Sequence, residues 1–135
     1  MDRFDVTLYR VILPVSDIEG AVRFYAVILE IKGERVSPGR HYFDCGGTVL
    51  ACYDPVADGD ALGDGWRQHP SQYLYFSVQD LAAARERLGA AGARNVTEIR
   101  EHPWGECSFY ARDPFGNPIC LVQAGTEFRG GRFIE

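Results

Sequence analysis

At 135 residues the chain has the length of one domain or of two short fused repeats, and its 46% hydrophobic residues are enough for a packed core, which excludes a disordered chain. A formal net charge of -5 counts against a nucleic-acid partner, which requires a basic face to displace counterions. No apolar run reaches bilayer length, and MDRFDVTLYR lacks the basic head and apolar core of a signal peptide, so no membrane partner and a cytoplasmic location are expected.

TLYRVILPVSD (7–17) alternates with period two, as a half-buried strand does. IEGAVRFYAVILE (18–30) then sets Ile18, Ala21, Val22, Tyr25, Ile28 and Leu29 at helical spacing, with Asp17 placed to cap the start. RHYFDCG (40–46) and TVLACYD (48–54) are expected strands joined at Gly46-Gly47. Residues 54–70 are rich in Asp, Gly and Pro and predict a flexible connecting loop. Asp58 and Asp60 begin a calcium-loop spacing, but Leu62 interrupts it and no acidic residue closes the loop, so a solvated segment is expected.

SQYLYFSVQD (71–80) alternates again, and LAAARERLGAAGA (81–93) predicts a helix capped by Asp80 and stopped by glycines. VTEIR (96–100) is a candidate further strand. ECSFYARD (106–113) and NPICLVQ (117–123) are strands joined by the DPFGN turn. The tail AGTEFRGGRFIE (124–135) leaves two readings open, a segment crossing to a partner subunit or a frayed end. The two halves superimpose: Asp17 matches Asp80 and the turn at Asp44 matches the turn at Asp113, a strand–helix–strand–strand duplication.

The four cysteines, Cys45, Cys52, Cys107 and Cys120, form no CxxC pair and are expected as reduced thiols packed like small hydrophobes. Of the three histidines, His69 falls in the connecting loop, while His41 and His102 fall at strand ends in different halves. Pro103 and Gly105 break any helix that would align His102 with Glu106, so surface or turn histidines are expected.

LPVSDIEGAVRFY, FSVQDLAAARERL and above all PWGECSFYARDPFGNPICLV resemble the vicinal oxygen chelate superfamily, which includes glyoxalase I, extradiol dioxygenases and bleomycin-resistance proteins. The resemblance covers about residues 6 to 123. It implies one α+β domain over residues 1–135, built from two βαβββ modules that form a curled half-barrel sheet with a cleft. Module one spans about 6–54, the connecting loop 55–70, module two about 71–123 and the tail 124–135. It also implies a homodimer.

Metal-dependent members place ligands on the first and last strand of each module. Carried over by position, seven residues before the strand-ending Asp or seven after the turn Asp, those places hold Arg10, Ala51, Tyr73 and Cys120. Arg cannot ligate, Ala has no donor atom, Tyr is an uncommon ligand, and catalytic sites normally take three protein ligands. The expectation is therefore no metal and no cofactor.

Alternation divides each first strand into faces. Val11, Leu13 and Val15 face the helix and Arg10, Ile12 and Pro14 the cleft. In the second half Leu74, Phe76 and Val78 face the helix, and Tyr73, Tyr75 and Ser77 share the cleft row with Cys120 and Val122. Arg10, Ile12, Tyr73, Tyr75, Trp104 and Cys120 are thus the candidate ligand-binding residues, with no catalytic residue assigned. Aromatic faces suit stacking, and Arg10 suits an anionic or carbonyl oxygen. Each has a plainer alternative: the tyrosines as filling, Arg10 paired with Asp5 or Glu127 at a dimer seam, Trp104 as a turn anchor, Cys120 as a packed residue rather than a nucleophile activated by Arg10.

Three functions follow as expectations. The first is metal-free binding of a small aromatic or anionic molecule, as in antibiotic-resistance members. Asp54, Asp58, Asp60 and Asp64 would attract a cation, but Arg10 opposes a strongly cationic ligand. The second is a superfamily enzyme (lyase, isomerase or ring-cleaving dioxygenase) with a non-standard or absent metal site. The third is a partner-binding module whose cleft is packed shut by Tyr73, Tyr75 and Trp104.

Overall fold

The structure is a computed structural model that describes residues 5–61 and 70–131. The chain divides into two compact units, Met1–Gln68 and His69–Glu135, here modules one and two. Module one runs β1 (Arg10–Pro14), α1 (Ile18–Leu29), β2 (Glu34–Ser37), β3 (Arg40–Asp44) and β4 (Val49–Tyr53). Module two runs β5 (Leu74–Val78), α2 (Leu81–Ala90), β6 (Arg100–Glu101), β7 (Cys107–Arg112) and β8 (Pro118–Gln123). The sheets repeat one order, β1-β4-β3-β2 and β5-β8-β7-β6. In each, the first and last strands of the module pair in parallel and the other pairs are antiparallel. This is the expected duplication of βαβββ units in an α+β fold.

Each helix buries its stripe on one face of its own sheet. In module one Phe24, Tyr25 and Ile28 of α1 join Leu13, Phe43, Leu50 and Cys52 in the core. The Tyr25 ring meets Phe24 edge-on at 5.0 Å and tilts over Phe43 at 6.5 Å. In module two Leu81, Ala84 and Leu88 bury with Phe109, Ile119 and Leu121. Burying such side chains contributes about 1.5–3 kcal/mol for each large one.

Several local expectations are corrected. Asp17 stands at the N-cap position of α1 with extended backbone but makes no side-chain cap, whereas the Asp80 carboxylate accepts the Ala83 N–H at 3.1 Å. α2 ends at Ala90, three residues before the expected stop at Ala93, because Gly92 turns left-handed (φ +103°) and Ala93 N–H reaches back to the Leu88 carbonyl. β2 was not expected: Glu34–Ser37 is a short, mostly exposed edge strand, so it carries no alternating apolar signal. VTEIR is not a regular strand. Thr97 N–H donates to the Tyr110 carbonyl, but the returning Tyr110 N–H goes to the Thr97 side-chain hydroxyl, and laddered pairing begins only at Arg100.

The first part of the connecting segment is fixed rather than loose. The Asp54 carboxylate accepts Val56 N–H at 3.1 Å, and Asp58 accepts the Ser37 hydroxyl at 2.8 Å. Arg40 pairs with Asp58, its guanidinium lies 4.1 Å from the Tyr53 ring centroid, and the Tyr53 hydroxyl donates to Asp60. Burial raises the Asp58 carboxyl, but Ser37, the Gly39 N–H and Arg40 outweigh it and hold the pKa below the ordinary value. A Cβ at Gly39 would run into the Asp54 carbonyl oxygen, so only glycine lets these segments meet. These aspartates serve module one's own structure and are not a solvated lure for cations. Asp64 and His69 lie outside the described residues.

Candidate functional site

Strand register defines the face of each sheet turned away from its helix. In module two the central row is Tyr75–Cys120–Tyr110, with Ser77–Val122–Ser108 beside it and Arg100 opposite Ser108. In module one the equivalent row is Ile12–Ala51–Tyr42, with Arg10–Val49–Asp44 beside it.

Two tight turns build the edge of the module two face. DPFGN closes with Gly116 N–H on the Asp113 carbonyl, and the buried Asp113 carboxylate collects the N–H groups of Phe115 (2.9 Å) and Asn117 (2.8 Å) and the Asn117 amide (2.9 Å). HPWGE repeats the geometry eleven residues earlier: Gly105 N–H on His102, and His102 N–H on Glu106. Proline at the second place and a left-handed glycine at the fourth suit this hairpin in both. The second turn lifts Trp104 over the face. Its indole N–H donates to Glu106 at 2.8 Å, and its ring stacks on His102 at 4.6 Å and 7°.

The tail adds a further wall. Cys107 N–H donates to the Thr126 hydroxyl at 3.1 Å and Phe128 N–H to the Glu106 carboxylate at 2.9 Å, so residues 124–128 are anchored on module two. Ser77 donates to Glu127 at 2.6 Å, and this bond, with the Gly125 N–H, holds the Glu127 carboxyl below its ordinary pKa. The result is a pocket of about 500 Å³ lined by Tyr75, Ser77, Trp104, Glu106, Glu127 and Phe128, with Phe76, Val122 and Arg129 completing it.

Of the sequence candidates, Tyr75 and Trp104 line this pocket. Cys120 lies beneath, in register with Tyr75 and Tyr110, and is fully buried. Tyr73 meets Tyr110 edge-on at 5.5 Å outside the lining. Tyr75, Trp104 and Tyr73 keep 56%, 47% and 37% of their surface exposed, so these rings do not pack the face shut. Arg10 and Ile12 belong to module one. The Arg10 guanidinium lies 5.0 Å from the Tyr9 ring centroid and 5.1 Å from that of Tyr42.

Cys120 is a poor nucleophile. Burial pushes its thiol up to about 11, against a hydrogen bond from Ser108 and with the Glu106 charge adding to the rise. Tyr75 is pushed up to about 12 by burial, by the neighbouring Tyr110 hydroxyl, and by the charges of Tyr110, Cys120 and Glu106. Of the histidines expected at the surface or in turns, His102 opens the HPWGE turn and His41 departs from the expectation. His41 is buried against Phe43, with Nε2 at 2.9 Å from the Lys32 carbonyl oxygen. His102 is half-buried, with Nε2 at 2.8 Å from the Ser108 hydroxyl.

At the positions to which the family resemblance carries the metal ligands, Arg10 is a fixed cation and Ala51 has no donor atom, a chemistry that does not suit the family's metal. Among the described residues no group of three His, Cys, Asp or Glu side chains converges as a metal site.

The repeated βαβββ topology and the pocket on the second sheet define a protein of the paired-module glyoxalase class. The chain belongs to the glyoxalase/bleomycin resistance protein/dioxygenase superfamily, whose profile it matches over residues 7–121. Its fold is similar to that of a glyoxalase-related enzyme from Fulvimarina pelagi (TM-score 0.68, 23% identity, 87% of each chain covered). It is also similar to a lactoylglutathione lyase from Agrobacterium tumefaciens (TM-score 0.64, 21% identity, 87% of this chain and 93% of that one). A glyoxalase/bleomycin resistance protein/dioxygenase from Nocardioides matches at TM-score 0.65 and 22% identity over 96% of this chain and 93% of its own. No curated protein matches the sequence.

Sequence reasoning missed Glu106, Glu127, Phe128, His102, Ser108 and Tyr110 as residues of this face. One signal was present: HPWGE has the same Pro-aromatic-Gly pattern as DPFGN, and a hairpin there puts Ser108 and Tyr110 on the same row as Cys120. The tail carries no periodic pattern, so the placing of Phe128 had no counterpart in the sequence.

Proposed function

We propose that this protein is a metal-free small-molecule-binding member of its superfamily, which holds an aromatic ligand on module two without turnover. The observation that carries this reading is the pocket of about 500 Å³ with three aromatic side chains, Tyr75, Trp104 and Phe128, at its walls. Its size and apolar lining fall within the range of small-ligand sites. Trp and Tyr faces bind planar molecules by stacking, and Ser77, Glu106 and Glu127 orient a ligand's polar edge. Tyr73 and Cys120 support the wall. The four family ligand positions supply no metal-binding set, which favours binding over catalysis. The same reading takes the protein as cytoplasmic and homodimeric.

The test is a thermal-shift and calorimetric screen of aromatic acids, aromatic alcohols and aromatic antibiotics, repeated with nickel, iron, manganese or zinc. A rise in melting temperature at high ligand excess, unchanged by metal and lost in Trp104→Ala, is expected. Turnover that appears only with added metal would contradict it.

A further inference from the structure

A second concavity of about 190 Å³ opens on module two, lined by Thr97, Glu98, Arg100, His102, Ser108 and Tyr110. It shares a wall with the larger pocket. Tyr75 lines one and Tyr110 the other, and both flank Cys120 on one row of the sheet face. Trp104 lines one and His102 the other, joined by ring stacking. Two neighbouring sites with a common aromatic wall suit one ligand with two parts.

The polar groups of the smaller site decide its chemistry. Arg100 is exposed and pairs through its backbone with Ser108, and its guanidinium makes no hydrogen bond or ion pair among the described residues, so its five donors are open. Tyr110 lines this concavity with a phenol, whose O–H can donate to an anion. His102 Nε2 is already engaged at 2.8 Å by the Ser108 hydroxyl, so the imidazole serves here as wall. Thr97 spends its hydroxyl on the Tyr110 N–H and the Glu98 carbonyl. Glu98 contributes the one carboxylate and forms no ion pair with Arg100 among the described residues. Open donors therefore outnumber acceptors, and guanidinium geometry matches a carboxylate edge.

We propose that this concavity is an anion subsite for the carboxylate of an aromatic acid whose ring occupies the larger pocket. The inference rests on the proposed aromatic-binding role and names its ligand class. Arg100, not Arg10, receives the charge.

Calorimetry with 1-naphthoate and its neutral counterpart 1-naphthalenemethanol tests it, together with acetate alone followed through the NMR signals of Arg100 and Tyr110. The acid is expected to bind about tenfold tighter than the alcohol, the scale of one charge-assisted contact. Arg100→Ala should erase that preference and leave the alcohol unchanged, while Glu98→Gln should tighten the acid about twofold. Acetate should shift Arg100 and Tyr110 saturably. Equal affinity for acid and alcohol, with acetate leaving Arg100 unmoved, overturns the anion subsite and leaves the aromatic pocket standing. Acetate shifts without binding of either naphthyl probe would support the anion subsite and overturn the aromatic pocket.

Discussion

The central row of the exposed sheet face is Ile12–Ala51–Tyr42 in module one and Tyr75–Cys120–Tyr110 in module two. The same topology produces both, yet they are put to different use. Module one commits its charge to itself: Arg10 lies beside two tyrosine rings, and Arg40 joins Asp58 in fastening residues 54–60. Module two keeps aromatic rings, the carboxylates of Glu98, Glu106 and Glu127, and Arg100 around two concavities. Duplication supplies two scaffolds, and side-chain choice gives the second the two concavities.

The turns offer the strongest contrast to break. Asp113 is fully buried and accepts three hydrogen bonds, whereas Asp44 performs the same task for Gly46 and Gly47 in an exposed turn. Asp113→Ala should lower stability by about 3 kcal/mol in urea unfolding, because it strands buried donors. Asp44→Ala should cost about 0.5 kcal/mol, since water replaces the lost bonds. Equal losses would mean that burial does not distinguish the two modules.

Trp104→Ala comes next. It removes the ring that both stacks on His102 and lines the larger pocket, and it should weaken an aromatic ligand about tenfold with little change in unfolding. A ligand indifferent to Trp104 would have to bind elsewhere.

Alkaline pH separates the two rows more gently. Cys120 rises from an ordinary 9.0 to about 11 and Tyr75 from 10.0 to about 12, so the fold holds both protonated. Their contribution is complete below pH 9 and is lost as pH climbs through about 11 and then about 12. Cys120→Ala should flatten the lower part of that decline, and Ala51→Gly should leave its shape unchanged. An identical pH profile for Cys120→Ala and the parent would contradict the assignment. The smallest effect belongs to Arg10→Ala, which should alter 1-naphthoate affinity less than about twofold. A tenfold loss there would bring module one into the binding site.

Much of this was legible in the sequence because the relevant signals are periodic. Alternation in β1 and β5, helical spacing in α1 and the DPFGN turn gave the elements, and the two faces of β1 agree with Leu13 buried and Ile12 exposed. What escaped was set by contacts rather than by pattern. β2 is a polar edge strand, and Asp54 and Asp58 look like solvated loop residues until Ser37, Gly39 and Arg40 close around them. Arg10 was the obvious anion receptor because it lies on the first strand. Arg100 was hidden at the end of VTEIR, a stretch whose pairing depends on the Thr97 hydroxyl.

Calorimetric titration of the purified protein with 1-naphthoate, before and after exhaustive chelation, tests the metal-free binding role most directly. The proposal predicts saturable binding with unchanged affinity and no heat restored by added nickel, iron, manganese or zinc. Binding abolished by the chelator and recovered with one of those ions would contradict it.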